Sequence, residues 1–397
     1  MARNDDVAAV SFSLRRDRMD AVPRHAVAET EWEPLPALGA IATEWRELAG
    51  RAIELNVFYD PAFALAAAPV FGGNAGAVLV RRAGKLIGLF PARVERRYGL
   101  MTTLTGWTHP YAPLGVPLVD RAEADEAIAA FLDHTAAEGP KLVLLPMLPQ
   151  DGAIAAALSR VLARRGGTAA EFGAHARALL APMQDRSDYL AHALTHKKLK
   201  ELRRQRRRLA DSAPVTHASA RAPKDVAAAL GYFLALEASG WKGRAGTATA
   251  DRPPVRDFVE RAVTALAAEG NARVDRFKHG ERTLATAITL RSGDTSWFWK
   301  IAYDEAYARA SPGVQISLDL TERLLADTTI RRADSCASAD HPMIDHLWRE
   351  RLLLADLLIA PARDALPAFH VACKLETLRR AAFSTARRVR NAIRSRA

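Results

Sequence analysis

The order of hydrophobic runs and turn residues in this chain occurs twice. "AGAVLVRRAGKLIGLFPARVERR" reads as two β runs joined at Gly84, and "ARVDRFKHGERTLATAITL" reads as two more joined at Gly280. The two glycines are 196 residues apart, and so are the dipeptides Tyr111-Ala112 and Tyr307-Ala308. Helical patterns precede each pair of runs, at 44–68 in the first half and at 223–239 and 254–269 in the second. A strand, a loop, a helix and a further strand follow each. A shared offset with a shared element order predicts a duplicated α/β unit, each copy a mixed, largely antiparallel sheet flanked by helices. The expected organisation is a disordered leader over 1–34, a first domain over 35–182, a second over 183–372, and a basic helical tail over 373–397.

Charge narrows the function classes. The chain carries +11 overall, but residues 197–208, "KKLKELRRQRRR", hold +7 and residues 374–397 hold another +7, so the rest carries −3. A near-neutral body argues against a groove-lined nucleic-acid enzyme. The 197–208 segment extends a helical pattern expected to begin near Ser187. Its leucines at 190, 194, 199, 202 and 209 share one half of the circumference, and its basic residues share the other. That face is either simply solvated or meets an anionic partner, tRNA or a membrane surface among them, and the same holds for the tail. Two cysteines, Cys336 and Cys373, build no disulfide framework. With no secretory signal and no apolar run long enough to span a bilayer, a cytoplasmic protein is expected, peripheral to the inner membrane surface at most.

Three stretches concentrate chemistry. In "FWKIAYDEAYARASPGVQ", residues 298–315, the acids Asp304 and Glu305 and the phenols Tyr303 and Tyr307 lie between the end of a strand and the start of a helix. Ligands of open α/β sheets bind beyond the carboxyl ends of strands. Ser311, Pro312, Gly313 and Val314 open the helix, where backbone N–H groups favour phosphate. An acid here suits a general base and a tyrosine a general acid. Side chains alternate along a strand end, so at most one of the acids faces a site. Asp304 is preferred, being the first residue free of the strand. Capping, and pairing with Arg309, are the ordinary alternatives. "LEASGWKGRAGTA" places Trp241 and Lys242 in a glycine-rich loop suited to an acceptor pocket. "DHPMIDHLWRER" adds His341 at a helix start. His341, Asp345 and His346 lack a further ligand cluster, so no metal is expected. No Walker loop, GxGxxG fingerprint or GxSxG elbow occurs.

Together these three stretches resemble the FemAB-like, CelD-type branch of the GNAT acyltransferase superfamily, often associated with cellulose or polysaccharide biosynthesis. The motifs span about residues 185–360, and the likeness of fold extends back to about residue 35. The resemblance implies two tandem GNAT-like domains and transfer of an acyl group, acetyl or longer, from acyl-CoA to an amine or hydroxyl acceptor. On that basis Asp304, Tyr303 and Tyr307 are expected to be catalytic, and Ser311 to Val314 to hold the donor phosphates. Trp241, Lys242, Glu305 and His341 are expected on the acceptor side. "ARASPGVQ" departs from the glycine-rich pyrophosphate loop of GNAT enzymes, having Gly313 as its only glycine. Two alternatives are an aminoacyl-tRNA donor, as in FemAB relatives, and an inactive scaffold in polysaccharide assembly.

Overall fold

Both hairpins form where the paired β runs meet their turns. In the computed structural model, residues 27–394 are described apart from 98–100, 138, 183–185 and 187. β2 (Gly76–Arg82) and β3 (Lys85–Arg97) close at Arg82↔Lys85, and β9 (Ala272–His279) and β10 (Arg282–Ser292) close at His279↔Arg282. The structural offset is thus 197, not 196: Gly280 takes the place of Ala83, one residue before Gly84. Ala83, Gly84 and Gly280 all have positive φ, 50°, 78° and 56°, as tight hairpin turns require. The same offset relates a second irregularity. Ile87 is skipped in the β2–β3 ladder and Leu284 in the β9–β10 ladder, a shared bulge that independently marks the duplication.

The first half runs β1 (Glu29–Pro34), α1 (Ala42–Arg51), α2 (Pro61–Ala67), β2, β3, β4 (Met101–Gly106), β5 (Leu118–Val119), α3 (Ala124–Ala137), β6 (Leu142–Pro149), α4 (Ala153–Arg165) and β7 (Thr168–Leu180). The second runs α5 (Tyr189–Ala193), α6 (His196–Ala210), β8 (Val215–Ala220), α7 (Pro223–Ser239), α8 (Trp241–Arg244), α9 (Pro253–Ala268), β9, β10, β11 (Thr295–Tyr303), α10 (Pro312–Ala326), β12 (Arg332–Asp334), α11 (Ile344–Leu347) and β13 (Glu350–Ala360). The tail helix α12 (Leu366–Arg394) follows.

All these strands join one sheet in the order β1-β2-β3-β4-β6-β13-β7-β12-β11-β10-β9-β8, with β5 pairing beside β3. The order is a palindrome of the two halves with their last strands exchanged. β13 of the second half pairs with β6 of the first, and β7 of the first pairs with β12 of the second. β7 and β13 then pair with each other over most of their length, so neither half presents a bare edge at the centre. A cut at residue 182 would leave β7 with the half whose sheet it does not extend.

Three local expectations change. Residues 29–34 were expected in the leader but form β1, paired along β2; the remainder, 1–26, lies outside the described residues. The basic helix does not run from Ser187. It breaks at Leu194-Thr195, where the Thr195 hydroxyl accepts from Lys198 N (3.3 Å) and caps α6, as a threonine favours at a helix start. The tail helix begins at Leu366, before residue 373, and is tied back by Arg380 to Asp356 (2.6 Å) and by the buried Glu376; residues 395–397 lie outside the description.

Candidate active site

The two halves each contain one parallel strand pair among the described residues, and each pairing is three residues long. β4 and β6 pair from Thr103↔Leu142 to Thr105↔Leu144, and β11 and β12 from Thr295↔Arg332 to Trp297↔Asp334. Past these points the strands separate, leaving an opening at their carboxyl ends, where ligands of such sheets collect.

In the first half the opening is filled. The 107–116 loop lies against β6: Gly115 N donates to Met147 O (3.4 Å), and a Cβ on Gly115 would collide with the Pro146 carbonyl. Gly106 leaves a Cβ only 3.0 Å from Pro146 Cδ. Trp107 is wholly buried and donates from Nε1 to Phe71 O (3.0 Å). Arg177 of β7 anchors the loop by donating to Pro113 O (2.8 Å), and it pairs with Asp334 of β12 as a buried ion pair.

In the second half the strand is built differently. Thr289 pairs with Phe298 and Ile288 with Lys300, so Trp299 is an extra residue on β11. At the 197 offset Ile288 corresponds to Pro91, whose carbonyl accepts from Trp107 N (2.9 Å). The bulge therefore sets Lys300 where the first half has its buried tryptophan, a known way of re-aiming one side chain. Lys300 Nζ lies 4.0 Å from the centre of the Tyr111 ring and 5.6 Å from that of Trp299. Burial, and then the nearby Lys242 ammonium, push its pKa down to about 8. The ring faces supply the opposing attraction.

Tyr111 belongs to the loop that seals the first half, and it reaches across to serve the second. Its hydroxyl accepts from Arg252 Nη2 (3.0 Å) and lies 3.3 Å from Thr249 Oγ1, while its carbonyl accepts from Trp299 Nε1 (2.8 Å). Glu237, buried at the end of α7, accepts from Thr249 N (2.8 Å) and from Lys242 Nζ (2.6 Å). Burial works against its charge, but Lys242 and Thr249 outweigh it and hold the carboxyl below its usual range. His109 stacks on Phe71 at 4.2 Å. Burial and then Lys300 push its pKa down to about 3, so it stays neutral at physiological pH. Cys336 follows β12 with φ 52°, and burial, then Asp334, push its thiol well up. The result is a protonated amine in an aromatic-walled opening between diverging strands, suited to stabilising negative charge as it develops on a substrate oxygen.

Of the candidate catalytic, donor-binding and acceptor-side residues expected from sequence, Lys242 alone joins this group. Asp304 lies elsewhere with both oxygens engaged: Oδ1 accepts from Ala306 N (3.0 Å) and Oδ2 from Arg282 (2.7 Å). Glu305 accepts from Trp241 N (2.8 Å) and Arg244 (2.6 Å), and both donors hold its carboxyl below the usual range. Tyr303 is exposed and packs against Gly313, where a Cβ would stand 3.1 Å from its ring. Tyr307 lies under the Arg282 guanidinium (5.1 Å) and beside His279. Ser311 has φ 52°, and its carbonyl accepts from Val314 N (2.9 Å) and Gln315 N (3.0 Å). Pro312 has no N–H, so Gly313 supplies what is left for a phosphate. Trp241 is exposed at the start of α8. His341 Nδ1 accepts from Met343 N (3.3 Å) and so shapes its own turn. Sequence reasoning passed over Lys300, although a lysine inside the otherwise apolar run "WFWKIAY" is the kind of residue that stays buried only for a reason.

Residues 196–341 match the family model described as Acetyltransferase (GNAT) domain. This stretch is similar to GNAT domains. The chain as a whole has the fold of two GNAT-like domains sharing a sheet. It is similar to the crystal structure of FemX, with a TM-score of 0.55 at 12% identity over 83% of this chain and 98% of that one. It is also similar to the C-terminal domain (DUF2156) of a putative lysylphosphatidylglycerol synthetase from Agrobacterium fabrum, with a TM-score of 0.53 at 11% identity over 85% and 96%. At these identities the likeness is one of fold. No curated protein matches the chain. Among the described residues no helix is long and apolar enough to cross a membrane, and no three His, Cys, Asp or Glu side chains are grouped to hold a metal ion.

Proposed function

We propose that this protein is an acyltransferase whose reaction takes place at the opening between β11 and β12, with Lys300 as the electrostatic catalyst. The nucleophile, an amine or a hydroxyl, attacks the acyl carbonyl of an activated donor. The carbonyl oxygen becomes an oxyanion, the nucleophile's proton passes by way of solvent to the leaving group, and the leaving group departs as the tetrahedral carbon collapses. A fixed ammonium beside that oxygen acts without reorganisation, an effect typically worth about 10²–10³-fold in rate per donor. Tyr111 and Trp299 hold the lysine side chain, and the Glu237–Lys242 pair and Arg252 set the field around it. The observation that carries this reading is the Trp299 bulge, which puts an amine where the sister half has a sealed tryptophan.

An acyl-CoA donor is the first reading, because the stretch similar to GNAT domains spans this opening. Its phosphates would meet the start of α10 over Ser311–Val314, but in that segment Ser311 N is already bonded to Ala308 O and Val314 N to Ser311 O. A second reading, with aminoacyl-tRNA as donor, gains from the position of α6. That helix packs on the 305–310 turn, its Leu202 carbonyl accepts from Gln315 of α10 (2.9 Å), and Lys197, Lys200, Arg203, Arg207 and Arg208 are exposed. Polycation–phosphate binding of that kind weakens steeply with salt. A peptidoglycan-precursor or lipid acceptor, a polysaccharide role and a position at a membrane surface all belong to this proposal. Calorimetry with acetyl-CoA, a long-chain acyl-CoA and a charged tRNA at two salt concentrations distinguishes the donors. Heat with none of the three, together with no acyl transfer, would refute the enzyme reading in favour of a scaffold.

A further inference from the structure

Toward the amino end of β11, away from Lys300, a second cavity of about 160 Å³ lies between the sheet and the end of α10. Its wall carries three arginines, Arg221, Arg273 and Arg291, against one carboxylate, Asp327. Asp327 is largely committed elsewhere: its Oδ1 accepts from Thr329 N (3.0 Å) and Thr329 Oγ1 (2.5 Å), and Oδ2 lies 4.0 Å from Arg291 Nη1. Asp275, behind the wall, lies 2.9 Å from Arg273 Nε but also serves Arg323 and His217. Positive charge remains in excess.

Two lining side chains carry buried atoms without a hydrogen-bond partner among the described residues: Thr289 at Oγ1, on a residue 5% exposed, and Arg273 at Nε and Nη2. Burying such groups unpaired is costly, the more so when they are charged. These atoms lie just behind the accessible wall, so what marks the cavity for an anion is its excess of guanidinium, which water alone does not balance.

We propose that this cavity binds a compact oxyanion of the phosphate class, either free phosphate or the terminal group of a small phosphomonoester. The space has room for one such group. The site is separate from the acyl-transfer opening and does not rest on the reading of Lys300.

The test is thermal unfolding of the whole protein at pH 7 with inorganic phosphate, with glycerol 3-phosphate, and with sodium chloride at matched ionic strength. Phosphate or the phosphomonoester is expected to raise the melting temperature saturably above the chloride control, and the better of the two identifies the source. Thr289→Val removes an unpaired hydroxyl, so the unliganded melting temperature should not fall. Combined with Arg291→Gln it should weaken anion binding by about tenfold or more. Lys300→Met should leave the shift intact. No saturable shift with either anion, a shift unchanged in the double variant, or a shift abolished by Lys300→Met would each overturn the assignment.

Discussion

The two openings start from the same hairpin, the same skipped residue and the same three-residue parallel pairing, yet they end in opposite states. In the first half the loop after β4 folds down over β6, and Trp107 completes a dry core. In the second half the loop after β11 turns into a short helix held by Arg282, Trp241 and Arg244, and a bulge presents Lys300. The sealed half is not idle. Its loop supplies Tyr111 to the open half, and the exchanged strand β7 supplies Arg177 to hold that loop. On the proposed function, one copy is the wall and brace of the other's site, and the duplication is a division of labour rather than two active sites.

The largest effect expected from breaking this arrangement is at the brace itself. Arg177→Leu strands a buried Asp334 and releases Pro113 O, and urea unfolding should register a loss of about 3–5 kcal/mol. A loss below about 1 kcal/mol would mean the halves are not coupled through this pair. Next comes the open half's amine: Lys300→Met should lower kcat/KM by about 10²–10³-fold with the far-UV spectrum unchanged, while Trp107→Phe in the sealed half should cost stability and leave turnover per folded molecule alone. Equal effects on turnover would erase the contrast between the halves. Tyr111→Leu should act across the boundary. Losing a ring face worth about 0.5–2 kcal/mol lowers the lysine pKa further, so the alkaline limb of the activity profile should move down by about 0.4–1.5 pH units. The smallest effect belongs to Asp304→Asn, whose pairing with the solvent-facing Arg282 is screened by water; turnover should stay within about twofold, and a larger drop would restore Asp304 as the base.

The contrast also marks what a sequence can disclose. Element order and hairpins were legible because alternation, glycine turns and helical periodicity are local signals. The strand exchange was not, since nothing in "TAAEFGAHARALL" or "ERLLLADLLIA" says which neighbour it will take. The landmark offset of 196 pointed to the right relationship through a coincidence of one residue: the true hairpin offset is 197, and Tyr111 and Tyr307 occupy different places. The acid pair at 304–305 attracted attention as exposed chemistry beside a strand end, but both acids are engaged by local donors. Lys300 stood four residues earlier in plain view, and what sequence could not supply was the bulge that aims it.

The central claim, that the protonated Lys300 of the open half carries the reaction, is tested most directly by the pH dependence of kcat/KM and of stability measured on the same samples between pH 6 and 10. Burial, and then Lys242, push the Lys300 pKa down to about 8, below the 10.5 of a free lysine. Activity that needs the cation should therefore fall as pH rises through about 8. Stability should rise over the same window, because there the unfolded chain binds the proton that the folded one has released. Lys300→Arg should abolish the falling limb and Lys300→Met the rise in stability. Activity that stays level to pH 10 in the parent protein, or a falling limb that survives in Lys300→Arg, would contradict the account.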